Sequence, residues 1–247
     1  PKDETDLARF EKEVQMAKEA GATVFRSVCL SGRRYENFKT EEEWKSFQAK
    51  SLKSIQLAEA VVRKQQVRLA VENHKDWRAA ELAQIIQNLS SEWVGVTLDF
   101  GNNVSLLEDP MEVIRTLAPF AFSTHVKDMG VKAYEKGFLL SEVELGQGIV
   151  DLKEAVDLCK KYNPQVTFSL EMITRDPLEV PCLEESYWVT FEEDKAKDLA
   201  KILRLVRDRS FPRELPSVKN LDSEGRLAFE EENVVKCLSY SKTQLSL

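Results

Sequence analysis

The sequence predicts an α/β fold in which parallel strands alternate with helices, and three observations carry the prediction. Apolar runs short enough to be strands alternate along the chain with segments of helical apolar spacing. Most neighbouring strands are separated by one such helix, the connection that a parallel pair needs. No G-x-G-x-x-G turn and no Walker A loop occurs, which removes the dinucleotide-binding and phosphate-loop versions of an open sheet. A segment of a (β/α)8 barrel remains.

Leu7, Phe10, Val14 and Ala17 recur at helical intervals, and Gly21 follows as a helix-terminating glycine. Ala22 to Leu30 reads as a buried strand. Trp44, Phe47, Ser51, Ile55, Ala58 and Val62 trace a longer amphipathic helix, and Val67 to Asn73 is the next strand. Leu82, Ile85 and Leu89 mark a helix, followed by a strand from Val94 to Phe100. Pro110 opens a helix through Ile114 and Leu117, at a first-turn position where its missing N–H costs little. Ala121 to Lys127 is the fourth strand, and the stretch 130–145 reads as irregular. Gly146-Gln147-Gly148 leads into a helix marked by Leu152, Ala155, Val156 and Cys159. A fifth strand from Val166 to Ile173 and a last regular helix through Leu199, Ile202 and Val206 follow.

From Phe211 to Leu247 the rhythm breaks. Pro212, Pro216, a turn at Gly225, the acidic run Glu230-Glu231-Glu232 and a short apolar stretch from Val234 to Leu238 predict an extension on the outside of the domain. The chain thus divides into a barrel segment, 1–210, and an extension, 211–247.

Composition narrows the function classes. The 247 residues are 43% hydrophobic and 31% charged, which is ordinary for a globular chain and enough for one α/β barrel domain. Thirty-five Lys and Arg face 42 Asp and Glu, a net charge of −7 without a basic stripe, so nucleic acid is not an expected partner. Cys29, Cys159, Cys182 and Cys237 lie far apart with no C-x-x-C pair, which predicts reduced, packed thiols. No apolar run approaches the roughly 18 residues of a membrane span, so no membrane partner is expected. The chain begins at Pro1 with no visible signal; the cytoplasm is the default location, and the sequence upstream of Pro1 decides whether a targeting segment precedes it.

Active sites of (β/α)8 proteins lie at the C-terminal ends of their strands. Here Leu69-Ala70-Val71-Glu72 drives a carboxylate out of an apolar strand, and Val96-Thr97-Leu98-Asp99 does so again. Ser123-Thr124-His125 presents a histidine and Phe168-Ser169-Leu170-Glu171 another carboxylate. One such carboxylate is explained by a cap or a salt bridge; Asp99 before Gly101 can simply organise a turn. Four metal-capable groups on successive strands are better explained by one shared divalent cation, because burying each charge alone is costly. Three oxygen ligands and one imidazole suit Mn²⁺, Mg²⁺ or Co²⁺.

Val71-Glu72-Asn73-His74, Thr97-Leu98-Asp99-Phe100-Gly101-Asn102, Thr124-His125-Val126-Lys127-Asp128, Leu145-Gly146-Gln147-Gly148 and Ser169-Leu170-Glu171 together resemble the xylose isomerase-like TIM-barrel family. The likeness is to its sugar phosphate isomerase/epimerase branch and covers roughly Asp6 to Arg209. It implies one divalent metal held by Glu72, Asp99, His125 and Glu171, with Mn²⁺ favoured and Mg²⁺, Co²⁺ and Zn²⁺ as alternatives. It also implies that Glu72 and Glu171 are the acid–base pair. The first legible strand matches the family's fourth, so the first three βα units of the TIM barrel are expected before Pro1. A sheet with open edges would then associate, with a homo-oligomer as one outcome.

Asn102 stands where epimerases of the family often carry a substrate-binding histidine; it can hydrogen-bond a hydroxyl but cannot titrate. Strand alternation puts His74 on the face of Glu72 and Lys127 on that of His125, which makes both candidate substrate contacts. Lys127 would meet a phosphate or carboxylate, or pair with Asp128. Arg175 and Asp176 either cap the site or pair with each other. Trp77 and Trp188 are better read as loop packing than as sugar-stacking platforms.

The resemblance implies a metal-dependent isomerase or epimerase of a ketose or related polyol, moving a proton through an enediolate. The nearest alternative is a metal-dependent dehydratase or lyase of an inosose or keto-acid. A non-catalytic sugar-binding or structural protein is a third reading, of a different class. The family's DNA-repair branch uses a histidine-rich zinc site, which a chain with only His74 and His125 cannot build.

Overall fold

The computed structural model describes residues 1–191 and 195–247. In chain order the first elements are α1 (Glu4–Glu19), β1 (Val24–Ser27), the short α2 (Arg34–Asn37), α3 (Glu41–Gln65) and β2 (Arg68–Glu72). Next come α4 (Ala79–Leu89), β3 (Val94–Asp99), α5 (Pro110–Leu117) and β4 (Ala121–Val126). The second half contributes β5 (Asp128–Tyr134), β6 (Gly137–Val143), α6 (Leu152–Tyr162), β7 (Thr167–Leu170) and β8 (Leu178–Val180), then α7 (Ala196–Asp208) and α8 (Ser223–Tyr240).

Five strands form one parallel sheet in the order β1-β2-β3-β4-β7. This is the α/β, TIM-barrel-like arrangement that the helix–strand rhythm predicts. Each helix is framed by its own sequence. Thr40 and Glu43 make a reciprocal capping box at the start of α3, and Gln66 ends that helix in the left-handed conformation. Asp109 caps α5 ahead of Pro110, and Asp151 caps α6. Their apolar faces, with Trp44, Val62, Leu82, Ile114 and Leu117 fully buried, press on the outer side of the sheet. β3 is buried at every residue, whereas the edge strands β1 and β7 are half-covered. They are also shorter than their apolar runs: pairing of β1 with β2 stops at Ser27, opposite Val71, and the runs continue as loop.

Two expectations are corrected. The stretch 130–145 is not irregular; β5 and β6 form an antiparallel hairpin, joined by β8 into a second, three-stranded sheet. The helix through Val206 is not the last regular one, because α8 adds 18 residues. Both corrections bear on one corner. Phe211 and Leu215 pack on Val143 of the hairpin, Cys237 of α8 is fully buried, and the Tyr240 ring covers Gly146. The Gly146-Gln147-Gly148 loop wraps around the buried Asp128 carboxylate, which accepts the amides of Gly146, Gly148 and Val150 at 3.0, 2.8 and 3.0 Å. All four cysteines are free thiols.

Candidate metal centre

The parallel register brings the strand ends level. Glu72 ends β2, Asp99 ends β3 directly opposite His125 on β4, and Glu171 follows β7 with its amide bonded to the Val126 carbonyl. One ligand atom from each of the four lies within 4.8 Å of all the others. His125 Nδ1 is 3.5 Å from Glu72 Oε1, 3.9 Å from Asp99 Oδ2 and 3.5 Å from Glu171 Oε2. Ligands about 2.1 Å from one ion sit roughly 3.0 Å apart when adjacent and roughly 4.2 Å apart when opposite, so these separations suit a shared cation. Asp99 Oδ2, His125 Nδ1 and Glu171 Oε2 are buried and find no hydrogen-bond partner in the protein. Both oxygens lie against the Lys127 ammonium without a hydrogen bond, and buried ligand atoms that converge on one point in this way fit a metal site.

The remaining oxygens are fixed from behind. Asp99 Oδ1 accepts the amides of Gly101 and Asn102 at 2.9 and 2.7 Å, so this residue organises its turn and still offers its second oxygen to the site. Glu72 Oε2 is held by the Arg26 guanidinium of β1, with Nε at 2.5 Å. Asn73, one residue beyond Glu72, bonds both the amide and the carbonyl of Asp99 and ties the ends of β2 and β3 together.

Charges split the carboxylates. Burial would raise the Glu72 pKa, but His125 and then Arg26 bring it below its ordinary value. Burial is likewise overcome at Glu171, where His125 and Lys127 hold the carboxyl well below the usual range. At Asp99 burial wins over Lys127 and pushes the pKa up to about 6. Burial would lower His125, but the facing Glu171 and Glu72 carboxylates raise it to about 9.

The other sequence-predicted residues fall in and around this cluster. Asn102 is buried, with its Nδ2 3.2 Å from Glu72 Oε1. Lys127 is fully buried and belongs to the cluster itself, with Nζ 2.9 Å from Asp99 Oδ2 and 2.5 Å from Glu171 Oε2. These are ion pairs that miss hydrogen-bond angles. Lys127 does not pair with Asp128, whose carboxylate holds the glycine loop instead. His74 Nδ1 lies 2.9 Å from the Leu30 carbonyl, and its ring lines the cleft that opens beside Lys127 and Glu171. Arg175 sits at the same cleft and grips Glu142 with Nη2 at 2.7 Å. It does not pair with Asp176, which accepts from Ser217, Val218 and Lys219. Trp77 is buried against Trp44 and Phe47, and Trp188 packs on Tyr187 and Phe191; both serve packing.

Sequence reasoning missed Arg26, Asn73, Glu142 and also Lys75, which lines the same cleft as His74 and Arg175. Asn73 stood beside a predicted ligand, and Arg26 interrupted an apolar strand; those were the available signals. Glu142 lay in the stretch misread as irregular.

Known proteins share this fold. A model of the xylose isomerase-like TIM barrel family covers residues 1–206, and the chain belongs to that family. Its relatives include the 3-oxo-isoapionate decarboxylase of Pectobacterium atrosepticum, 31% identical over 87 residues, or 34% of this chain and 32% of that protein. The matched segment thus spans about a third of that curated relative's own length. Among solved structures, a xylose isomerase-like TIM barrel protein from Mycobacterium smegmatis in complex with magnesium superposes with a TM-score of 0.57 at 17% identity, covering 81% of this chain and 68% of that one. An L-ribulose 3-epimerase superposes with a TM-score of 0.51 at 12% identity, covering 96% of this chain and 69% of that one. At these identities the likeness is one of fold. Among the described residues, no helix is long and apolar enough to cross a membrane.

Proposed function

We propose that the protein is a divalent-metal-dependent isomerase or epimerase of a small ketose or related polyol. The observation that carries this reading is the convergence of Glu72, Asp99, His125 and Glu171 within 4.8 Å, with the two glutamates on the outer strands of the four. Three oxygen ligands and one imidazole suit Mn²⁺, Mg²⁺ or Co²⁺, and Mn²⁺, which the family resemblance favours, is the first ion to test, with Zn²⁺ as a comparator. A bound divalent ion would polarise a substrate carbonyl and so acidify the adjacent C–H.

The chain's own residues supply the rest. Glu171, kept ionised by Lys127, takes the carbon-bound proton; Glu72 on the opposite flank delivers one that it has taken up from solvent, and exchange with solvent then resets both carboxyls. The roles exchange for the reverse reaction. Arg26 and Asn102 orient Glu72, and the Lys127 ammonium donates to the oxygen on which charge develops. His74 and Arg175 contact substrate hydroxyls from the cleft.

The test is a screen of the Mn²⁺-loaded protein on ketoses and inososes in deuterated solvent. Epimer or isomer carrying deuterium at the reacting carbon is the expected product. Glu72→Gln and Glu171→Gln should each lower turnover by at least ~10²-fold, the scale for losing a positioned acid or base. Loss of water from the substrate would reassign the protein as a dehydratase, and binding without turnover would make it a sugar-binding protein.

A further inference from the structure

Lys75 is 6% exposed, and its ammonium makes no hydrogen bond or ion pair with any described residue. A lysine so largely covered with no partner in hydrogen-bond or ion-pair reach is unfavourable, and Asp99 and Glu142 attract this one only from further off. Its placement is built. The backbone at Lys75 is left-handed, with φ 62°, a conformation a lysine seldom adopts. Arg34 N donates to the Lys75 carbonyl at 3.0 Å, and the Asp76 carboxylate takes the amides of Leu30, His74 and Trp77 around the same turn. The side chain is thereby sent into a cleft of about 270 Å³ that Arg33, His74, Lys127, Glu171 and Arg175 also line.

The charge around the cleft points the same way. Among the described residues, Glu72, Asp99, Glu142 and Glu171 are met by Arg26, Lys75, Lys127 and Arg175, and His125 adds a positive charge until a metal takes the place of its proton. At the rim Arg33 and Glu36 neutralise each other, and Asp76 is turned to backbone amides. A divalent ion on the four ligands, with His125 neutral, would therefore leave cations in excess of carboxylates among these groups. A neutral sugar would leave that excess unanswered. Burial and the neighbouring Lys127 also push the Lys75 ammonium down to about 8, as expected for a cation short of counter-charge.

We propose that the cleft takes a sugar bearing an anionic group, a carboxylate or a phosphate, with Lys75 as its anchor and Arg175 on the facing wall. This rests on the metal-dependent reading above and narrows its substrate class. Arg175 already spends two nitrogens on Glu142 and keeps one for a ligand. Lys75 has all three of its donors free among the described residues.

The experiment titrates the complete protein by calorimetry, first with Mn²⁺, then with D-fructose, 2-keto-D-gluconate and D-fructose 6-phosphate at low salt. One Mn²⁺ per chain is expected, followed by at least ~10-fold tighter binding of one anionic sugar than of fructose. The better of the two anions distinguishes carboxylate from phosphate. Lys75→Met should bring that anion to within ~3-fold of fructose and leave the Mn²⁺ stoichiometry unchanged; Lys75→Arg should restore part of the preference. Equal or tighter binding of fructose by the unmodified protein overturns the proposal without recourse to any variant. So does a preference that survives Lys75→Met. Failure to bind Mn²⁺ at all would instead overturn the metal-dependent reading, and this proposal with it.

Discussion

Asp99 and His125 each give the cluster a single atom and have no assigned part in moving the proton, so their loss should act through the metal. Asp99→Asn and His125→Ala are expected to weaken Mn²⁺ binding by at least ~10-fold, since loss of an outer hydrogen-bond partner alone costs that much. Activity should return in part with excess Mn²⁺; unchanged metal content in either variant would remove that residue from the ligand set. Glu108 gives a prediction in pH. Burial raises its carboxyl to about 7 in spite of Arg78 and Asn103 beside it, so the folded state favours the protonated form. Its contribution to stability is complete below the ordinary carboxylate range and is lost as pH rises through 7. Glu108→Gln cannot ionise, and its Tm should fall less than that of the unmodified protein between pH 5 and pH 8. Parallel losses would assign the pH dependence to another group. Glu72, Asp99, His125 and Glu171 were legible because a polar residue ending an apolar run is visible in one dimension. Lys75 was not, because only the folded turn shows that its side chain is largely covered and lacks a partner among the described residues.

At the scale of elements, the helices and parallel strands announced themselves through period, whereas the β5–β6 hairpin did not. Asp128–Val131 and Phe138–Val143 are covered on nearly every residue, so the polar–apolar alternation of a half-exposed hairpin is missing. α8 escaped for the opposite reason. Only Asn233 and Cys237 of its 18 residues are fully buried, and so sparse an apolar stripe gives little periodicity to read. The loop that joins these corners is the sensitive part. At Gly148 a Cβ would run into the Asp128 carboxyl, which is fixed by three amides of the same loop and leaves no room to yield. Gly148→Ala should cost about 1–3 kcal/mol, the usual scale of overpacking, read as a lowered denaturation midpoint. Because Asp128 adjoins Lys127, the same variant should also lower turnover. A midpoint equal to that of the unmodified protein would mean that the loop rebuilds freely. At the other end of the cost scale, Thr40→Ala removes one half of the α3 capping box and should cost about 1 kcal/mol without touching activity.

Across the whole molecule the five parallel strands agree with the rhythm of the sequence, and the sheet's burial grades from a covered centre to half-covered edges. That gradient divides the proposed catalytic pair. Glu72 ends a strand paired on both sides, while Glu171 follows β7, which pairs only with β4 among the described residues. Amide hydrogen exchange should accordingly be slowest in β3 and much faster in β7. Lifting β7 away from β4 would carry Glu171 off and leave the other three ligands in register. The 247-residue chain taken alone can therefore release one of the two proposed proton carriers by local breathing while the other four strands stay paired, and in that chain an added divalent cation held by Glu171, Asp99 and His125 should slow exchange in β7 more than in any other strand. Equal slowing in all five strands would mean that the cation tightens the sheet as a single cooperative unit.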